Sequence, residues 1–280
     1  MSSSGDRSAA TPHDDSASFD LDAYLNRVDY TGDVRPSAEN LRALHLAHAT
    51  HIPFENLDVL LKRPIRLDVR SLQAKLVVAC RGGYCFEQNL LFAAALRALG
   101  FAVKPLAARV RLHTTRILPR THMLLLVETD GERWVADVGF GGEGLLWPVP
   151  LIRDEPAAQF LWTYRVAGGD GEWTLQSLRQ GAWIDLYAFT EVPQELADFE
   201  MANYYVSTHP DSRFVQTLTV QLPTPRERLI LRNREMTFDR GDARETRMLE
   251  SEAELIEILR DVFGLTVPAD SRFLAPDASE

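Results

Sequence analysis

Cysteine is scarce in this chain: Cys80 and Cys85 are the only two among 280 residues. Five positions apart on the way into an apolar run, they suit a structural disulfide poorly, which favours a reducing compartment. Long hydrophobic runs are missing too. No stretch of about 18 apolar residues is there to span a membrane. Residues 1–18 are small, polar and acidic, unlike a signal peptide. Positive charge is in deficit, giving a formal net charge of −10. A general nucleic-acid binder is thereby disfavoured, although a local basic patch could hold an anionic cofactor. The expectation is a cytoplasmic protein with no membrane and no nucleic-acid partner. Residues 1–17 lack any periodic apolar pattern and read as a disordered extension. What remains has an ordinary globular composition and is long enough for two or three subdomains.

The chain is organised around Arg81-Gly82-Gly83-Tyr84-Cys85-Phe86-Glu87-Gln88-Asn89. Two glycines let the backbone turn tightly. A helical pattern of Leu90, Phe92, Ala93, Ala94, Leu96 and Leu99 follows and stops at Gly100. This spacing predicts Cys85 in the first turn of a helix. There the unpaired N–H groups and the dipole favour an anion, so the thiol is suited to be a nucleophile. A buried structural cysteine is the commoner use of this residue, so the rest of the chain must supply a base.

Before that turn, Leu21, Tyr24, Leu25 and Val28 predict a short amphipathic helix over 20–28. Ser37 caps a second one carrying Leu41, Leu44 and His48. His45, His48 and His51 share a flank, but no further ligands stand nearby, and a metal site is rejected. Residues 52–57 read as turn-prone, with Glu55 in apolar company. A Glu55–Arg81 ion pair and a solvated Arg81 are equally admissible here. Leu72, Leu76 and Val77 suggest a third helix. From Phe101 the period changes to short β-prone runs over 101–110, 123–127, 134–140, 161–166, 173–178 and 183–189. Gly168 to Gly171 reads as a loop, and the whole as a mostly antiparallel sheet or barrel. Later strands are expected over 215–222, 229–232 and 236–238. Ser251 and Glu254 then form a capping box ahead of Leu255, Ile258, Leu259 and Val262. The tail after Phe273 reads as loose.

One hairpin supplies the base. Asp130-Gly131 is a strong turn signal between a strand opened by His122 and a return strand carrying Asp137. With that turn Asp137 lies opposite Leu124 and His122 opposite residue 139. The two side chains become diagonal neighbours on one face, about 7 Å apart at Cα. An aspartate in the apolar run 134–140 also needs a partner, since burying a lone carboxylate is costly. A histidine supplies it and is oriented in return, which favours a Cys-His-Asp triad over an aspartate held by backbone donors alone.

At this point the chain resembles the arylamine N-acetyltransferase family. The likeness rests on Pro53-Phe54-Glu55-Asn56-Leu57, the Arg81 to Asn89 segment, Thr121-His122-Met123 and Asp137-Val138-Gly139-Phe140-Gly141-Gly142. Asn203 and Ser207-Thr208-His209-Pro210-Asp211-Ser212-Arg213-Phe214 extend it. The resemblance implies an α+β fold in three parts: an N-terminal helical bundle (18–100), a central antiparallel β-barrel (101–205) and a C-terminal α/β lid (206–280). It implies acetyl-CoA as donor, with no metal, and an arylamine, hydrazine or arylhydroxylamine as acceptor. Cys85 becomes the acetylated nucleophile, His122 its base and Asp137 the orienter. Phe140 and Phe214 fall where the family has acceptor-pocket walls, and Gly141, Gly142 and Tyr205 in segments that approach coenzyme A. A homodimer is an admissible assembly. Three other readings share these residues: an amide synthase that releases or cyclises a carrier-bound acyl chain, a cysteine hydrolase, and a non-catalytic binding protein.

Overall fold

A computed structural model describes residues 19–114, 116–268 and 271–273. The extension expected over 1–17 and the tail after Phe273 lie outside the described residues. Asp20 and Ser37 start the first helices, α1 (Leu21–Arg27) and α2 (Ala38–His51), each side chain accepting a backbone N–H three residues on. A two-residue strand, β1 (Phe54–Glu55), occupies the expected turn and leads to α3 (Leu57–Leu60). Next, α4 (Val69–Leu72) widens into a π-helical segment, Gln73–Val78. The glycine turn then enters α5 (Cys85–Ala98), whose buried residues share one core with Tyr24, Leu41, Leu44 and Leu76.

Eight antiparallel strands follow: β2 (Ala102–Val110), β3 (His122–Thr129), β4 (Glu132–Ala136), β5 (Val149–Pro150), β6 (Ala157–Gln159), β7 (Trp162–Gly169), β8 (Glu172–Arg179) and β9 (Ala182–Pro193). Their order is β5-β4-β3-β2-β9-β8-β7-β6, and a bridge from Arg153 to Val166 nearly closes them into a barrel. Strand β3 is apolar on both faces because it has two cores to serve. Leu124 and Leu126 join the barrel interior, while Met123, Leu125 and Val127 pack with α5. Gly168 and Gly169, expected in a loop, belong to β7. The hairpin needs only Asp170 and Gly171, both at positive φ (54° and 108°), to turn.

The remaining elements are α6 (Leu196–Thr208), α7 (Arg213–Gln216), β10 (Thr219–Pro223), β11 (Arg228–Arg232), β12 (Glu235–Asp239), β13 (Arg244–Met248) and α8 (Glu252–Asp261). The boundary expected at residue 205 falls inside α6. Val215, expected in a strand, lies in α7, where the Ser212 hydroxyl accepts the Phe214 N–H and starts a helical turn. A second sheet runs β1-β10-β11-β12-β13, so Phe54 and Glu55 pair with a segment more than half the chain away. The predicted stripe on α8 covers this sheet through Leu255 and Leu259. Arg228, fully buried on β11, stitches the two sheets together. It donates to the carbonyls of Gly142 and Gly144 and to the Tyr164 hydroxyl, with its guanidinium 4.2 Å above the Trp162 ring. Among the described residues no helix is long and apolar enough to cross a membrane.

Candidate active site

Cys85 is the first residue of α5, as the glycine spacing predicts. Gly82 has no room for a side chain, since a Cβ there would sit 2.1 Å from the Pro53 carbonyl oxygen. Ion pairs brace the turn on one side: Arg81 reaches Glu55 at 2.8 Å, and Lys75 reaches Glu87 at 2.7 Å and Asp58 at 2.9 Å. The choice that the sequence leaves open at Arg81 is thus the ion pair. Glu87 also accepts the Tyr84 N–H at 3.1 Å, satisfying a donor at the helix start. On the other side, Gln88 donates to the carbonyls of Pro53 (2.9 Å) and Gly83 (3.2 Å). Its oxygen therefore faces His48 Nε2 at 2.7 Å, and His48 Nδ1 accepts from the Tyr24 hydroxyl at 2.9 Å. Burial, helped by nearby positive groups, holds His48 down at about 3 against the pull of the Gln88 hydrogen bond. This histidine is a neutral strut. Both cysteines are free thiols, and among the described residues no three His, Cys, Asp or Glu side chains cluster as a metal would need.

The β3–β4 hairpin turns at Asp130 and Gly131, at φ 53° and 75°, and its ladder pairs Leu125 with Ala136. That register continues to the expected Leu124–Asp137 position. His122 Nε2 lies 2.7 Å from Asp137 Oδ2. Residues 137–140, expected to continue the strand, leave the ladder because side chains claim their donors. Asp137 Oδ1 accepts the Gly139 N–H at 2.9 Å, and Asn89 Oδ1 accepts the Val138 N–H at 3.2 Å. Asn89, one helical turn after Cys85, also donates to Asp137 Oδ1 at 3.0 Å and to the Met123 carbonyl at 2.8 Å. The helix start and the hairpin end are thus bolted together. At Gly139 a Cβ would come within 2.7 Å of the Cys85 Cα. His45 completes the frame: Nε2 accepts the Asp137 N–H at 3.1 Å and Nδ1 donates to the Leu146 carbonyl at 3.0 Å.

Burial alone would lower the pKa of His122. The charge and hydrogen bond of Asp137, with a further contribution from the Cys85 thiol, outweigh it and raise His122 to about 10. Burial would push Asp137 up, but His122, Asn89 and the Gly139 N–H bring it below the usual carboxylate range. With Nε2 committed to Asp137, Nδ1 is the nitrogen left for Cys85. The Cys85 sulfur itself lies 3.7 Å from the Thr121 carbonyl oxygen. The arrangement can accept a proton from the thiol and hold the resulting charge.

A cavity of about 310 Å³ opens onto Cys85 and His122, at the small end of the range for ligand pockets. Phe140 borders it with its ring 5.0 Å from His122, and Phe214 with its ring 5.7 Å from Tyr84. Gly142 and Tyr205 border it too. Gly141, at φ 84°, faces a smaller void behind the wall, against Phe54 and Gln221. Asn56 fixes part of the lining by donating to the carbonyls of Phe214 (2.7 Å) and Thr217 (2.8 Å) and accepting the Thr219 N–H (2.8 Å). Sequence reasoning passes over Tyr187, whose ring is 4.7 Å from His122, and over Thr219 and Arg232. They stand on strands far along the chain, and only the continuous apolar run Leu186 to Phe189 of β9 hints that Tyr187 is buried.

A model of the N-acetyltransferase family matches residues 37–272, most of the chain, which sets the class as an acetyl-transferring enzyme. An arylamine N-acetyltransferase of Escherichia coli is 42% identical over 250 residues, covering 88% of this chain and 89% of that protein. An arylamine N-acetyltransferase/N-hydroxyarylamine O-acetyltransferase of Salmonella typhimurium is 41% identical, with the same coverage of 88% and 89%. Among solved structures, the Mycobacterium marinum arylamine N-acetyltransferase in complex with CoA superposes with a TM-score of 0.84 at 34% identity, over 88% of this chain and 92% of that one. The chain belongs to the arylamine N-acetyltransferase family.

Proposed function

We propose that this protein carries an acetyl group from acetyl-CoA to the nitrogen of arylamines, hydrazines or arylhydroxylamines by way of an acetyl-thioester on Cys85. One observation carries the reading: a helix-initial thiol and a histidine locked 2.7 Å from a buried carboxylate open into one cavity. The raised proton affinity of His122 lets it take the Cys85 proton. The sulfur then attacks the thioester carbonyl, the bond from that carbonyl to the coenzyme A sulfur breaks, and the leaving thiolate takes the proton back from His122. In the second half, the amine attacks the acetyl-cysteine, His122 accepts the amine proton, and Cys85 is released. Asp137 stabilises the imidazolium in both halves without itself being protonated.

Phe140 and Phe214 would hold the acceptor ring. Gly142 and Tyr205 would border the approach of coenzyme A, with Gly141 shaping that wall from behind. Residues 206–280 would act as the lid over the helical part (18–100) and the barrel (101–205). The reading assigns a cytoplasmic enzyme without membrane or nucleic-acid partners, with a homodimer as the assembly to look for. The names of the Escherichia coli and Salmonella relatives and the coenzyme A complex of the mycobacterial one support the donor and acceptor classes. Initial rates over a matrix of acetyl-CoA and arylamine concentrations test the scheme. Parallel double-reciprocal lines are expected; intersecting lines would mean that no acetyl-enzyme lies on the path.

A further inference from the structure

One part of the cavity wall carries positive charge that the acyl-transfer scheme does not use. Thr219 opens β10 and is the direct cross-strand partner of Arg232, which ends β11. Both border the cavity that holds Cys85, as does Arg213 at the start of α7. The Thr219 side chain is only 2% exposed, and its hydroxyl has no hydrogen-bond partner. The Nε of Arg232 is likewise buried and unpartnered. Among the described residues neither Arg232 nor Arg213 forms an ion pair, whereas Arg81, Arg179 and Arg228 around the same site all have carboxylates within 4 Å. The two acids that border the cavity do not neutralise this pair. Glu143 is engaged by Arg179, and Asp211 lies beyond ion-pair reach of both arginines. Arg213 is exposed at the cavity mouth, yet partial desolvation and then the charge of Arg232 lower its pKa.

A buried polar group without a partner is costly, and that cost falls on the Thr219 hydroxyl and the Arg232 Nε. An anion supplied from outside would satisfy both guanidinium groups and give the Thr219 hydroxyl an acceptor. We propose that Arg232, Arg213 and Thr219 form an anion subsite within the Cys85 cavity, for a carboxylate or phosphate group carried by a substrate. Two sources fit that chemistry: the carboxylate of an aromatic amine acceptor, or a phosphate of the coenzyme A donor. The subsite rests on the proposed acyl transfer only in taking its anion from a substrate of Cys85.

A thiol-protection experiment tests it without requiring turnover. In the full-length Cys80→Ala protein, labelling of Cys85 by iodoacetamide is followed by mass spectrometry. The labelling is repeated with 4-aminobenzoate, its neutral analogue 4-aminobenzamide, or inorganic pyrophosphate. At least one anion should slow labelling at concentrations at least about tenfold below those needed for 4-aminobenzamide, a factor worth about 1.4 kcal/mol. Arg232→Gln and the near-isosteric Thr219→Val should weaken that protection and leave the neutral compound unaffected. Protection by 4-aminobenzoate alone assigns the acceptor carboxylate, by pyrophosphate alone the donor phosphate, and by both a shared subsite. Protection that ignores charge, or that survives both substitutions, overturns the proposal. If Arg232→Gln does not fold, Arg213→Gln on the neighbouring segment carries the same comparison. A protein that never forms acetyl-Cys85 would sink the acyl-transfer reading while leaving this measurement interpretable.

Discussion

Asp137 is held from three sides: His122 on one oxygen, Asn89 and the Gly139 N–H on the other, and His45 on its backbone N–H. Such a carboxylate has one orientation, and its charge is what raises the proton affinity of His122. Asp137→Asn keeps the shape but removes the charge and presents an N–H to Nε2, favouring the wrong imidazole tautomer. Acetylation of Cys85 should fall by about 10⁴-fold, as in the comparable substitution in a serine triad. Single-turnover rates with acetyl-CoA read this directly, and a loss of less than about tenfold would remove Asp137 from the mechanism. Phe214 is different in kind. It touches Phe54 and Tyr84 rather than His122. Phe214→Ala should leave acetylation by acetyl-CoA in place and weaken transfer to arylamines by about 0.5–1.5 kcal/mol beyond lost area. If both half-reactions fell together with thermal stability, Phe214 would be core.

At the scale of elements, the site depends on how closely the hairpin end meets the start of α5. Gly139→Ala would place a methyl 2.7 Å from both the Cys85 Cα and the Asn89 Nδ2. The two elements must separate, at about 1–3 kcal/mol for such overpacking. Gly131→Ala meets nothing within 4 Å but sits at φ 75°, so it costs only about 1–2 kcal/mol of left-handed backbone strain. The two variants should lose similar thermal stability, yet only Gly139→Ala should lose acetyl transfer; equal activities would show that the close approach does not matter. The hairpin was legible in the sequence because Asp130-Gly131 sets the register, and period 2 does the rest. Helix α6 was not. Its inward residues Phe199, Asn203 and Val206 alternate with exposed Met201, Tyr204 and Tyr205, so no clean apolar stripe exists. Strand β13 is exposed along its whole length and lacks an apolar face to announce it. Cys85, His122 and Asp137 could be found because each sits beside its own local turn or cap. Arg232 and Thr219 reach the cavity only through pairing between β10 and β11, and Arg228 joins the two sheets by contacts that no local pattern encodes.

Across the whole molecule, stability should depend on pH through its buried histidines. Burial lowers His45 to about 4 and His48 to about 3, from an ordinary value of 6.5. An unfolded chain therefore binds two protons that the folded one refuses as pH drops below 6.5. Each adds up to about 1.4 kcal/mol of lost stability per pH unit through that window. The His122–Asp137 pair acts at the other end: the raised His122 contributes stability that is fully present below 6.5 and lost as pH rises through about 10. Between pH 7.5 and about 5 the urea midpoint should fall, and His48→Gln should make that fall shallower by about half. Curves that stay parallel would mean that His48 is not the strut described. The central claim concerns Cys85, and intact-mass spectrometry tests it most directly. The protein mixed with acetyl-CoA, without acceptor, should gain about 42 Da, the mass of an acetyl group replacing a hydrogen, located to the Cys85 peptide. Arylamine should then remove it, Cys80→Ala should behave as wild type, and Cys85→Ala should gain nothing. An unmodified wild-type protein, or an acetyl group that persists on Cys85→Ala, would contradict the account.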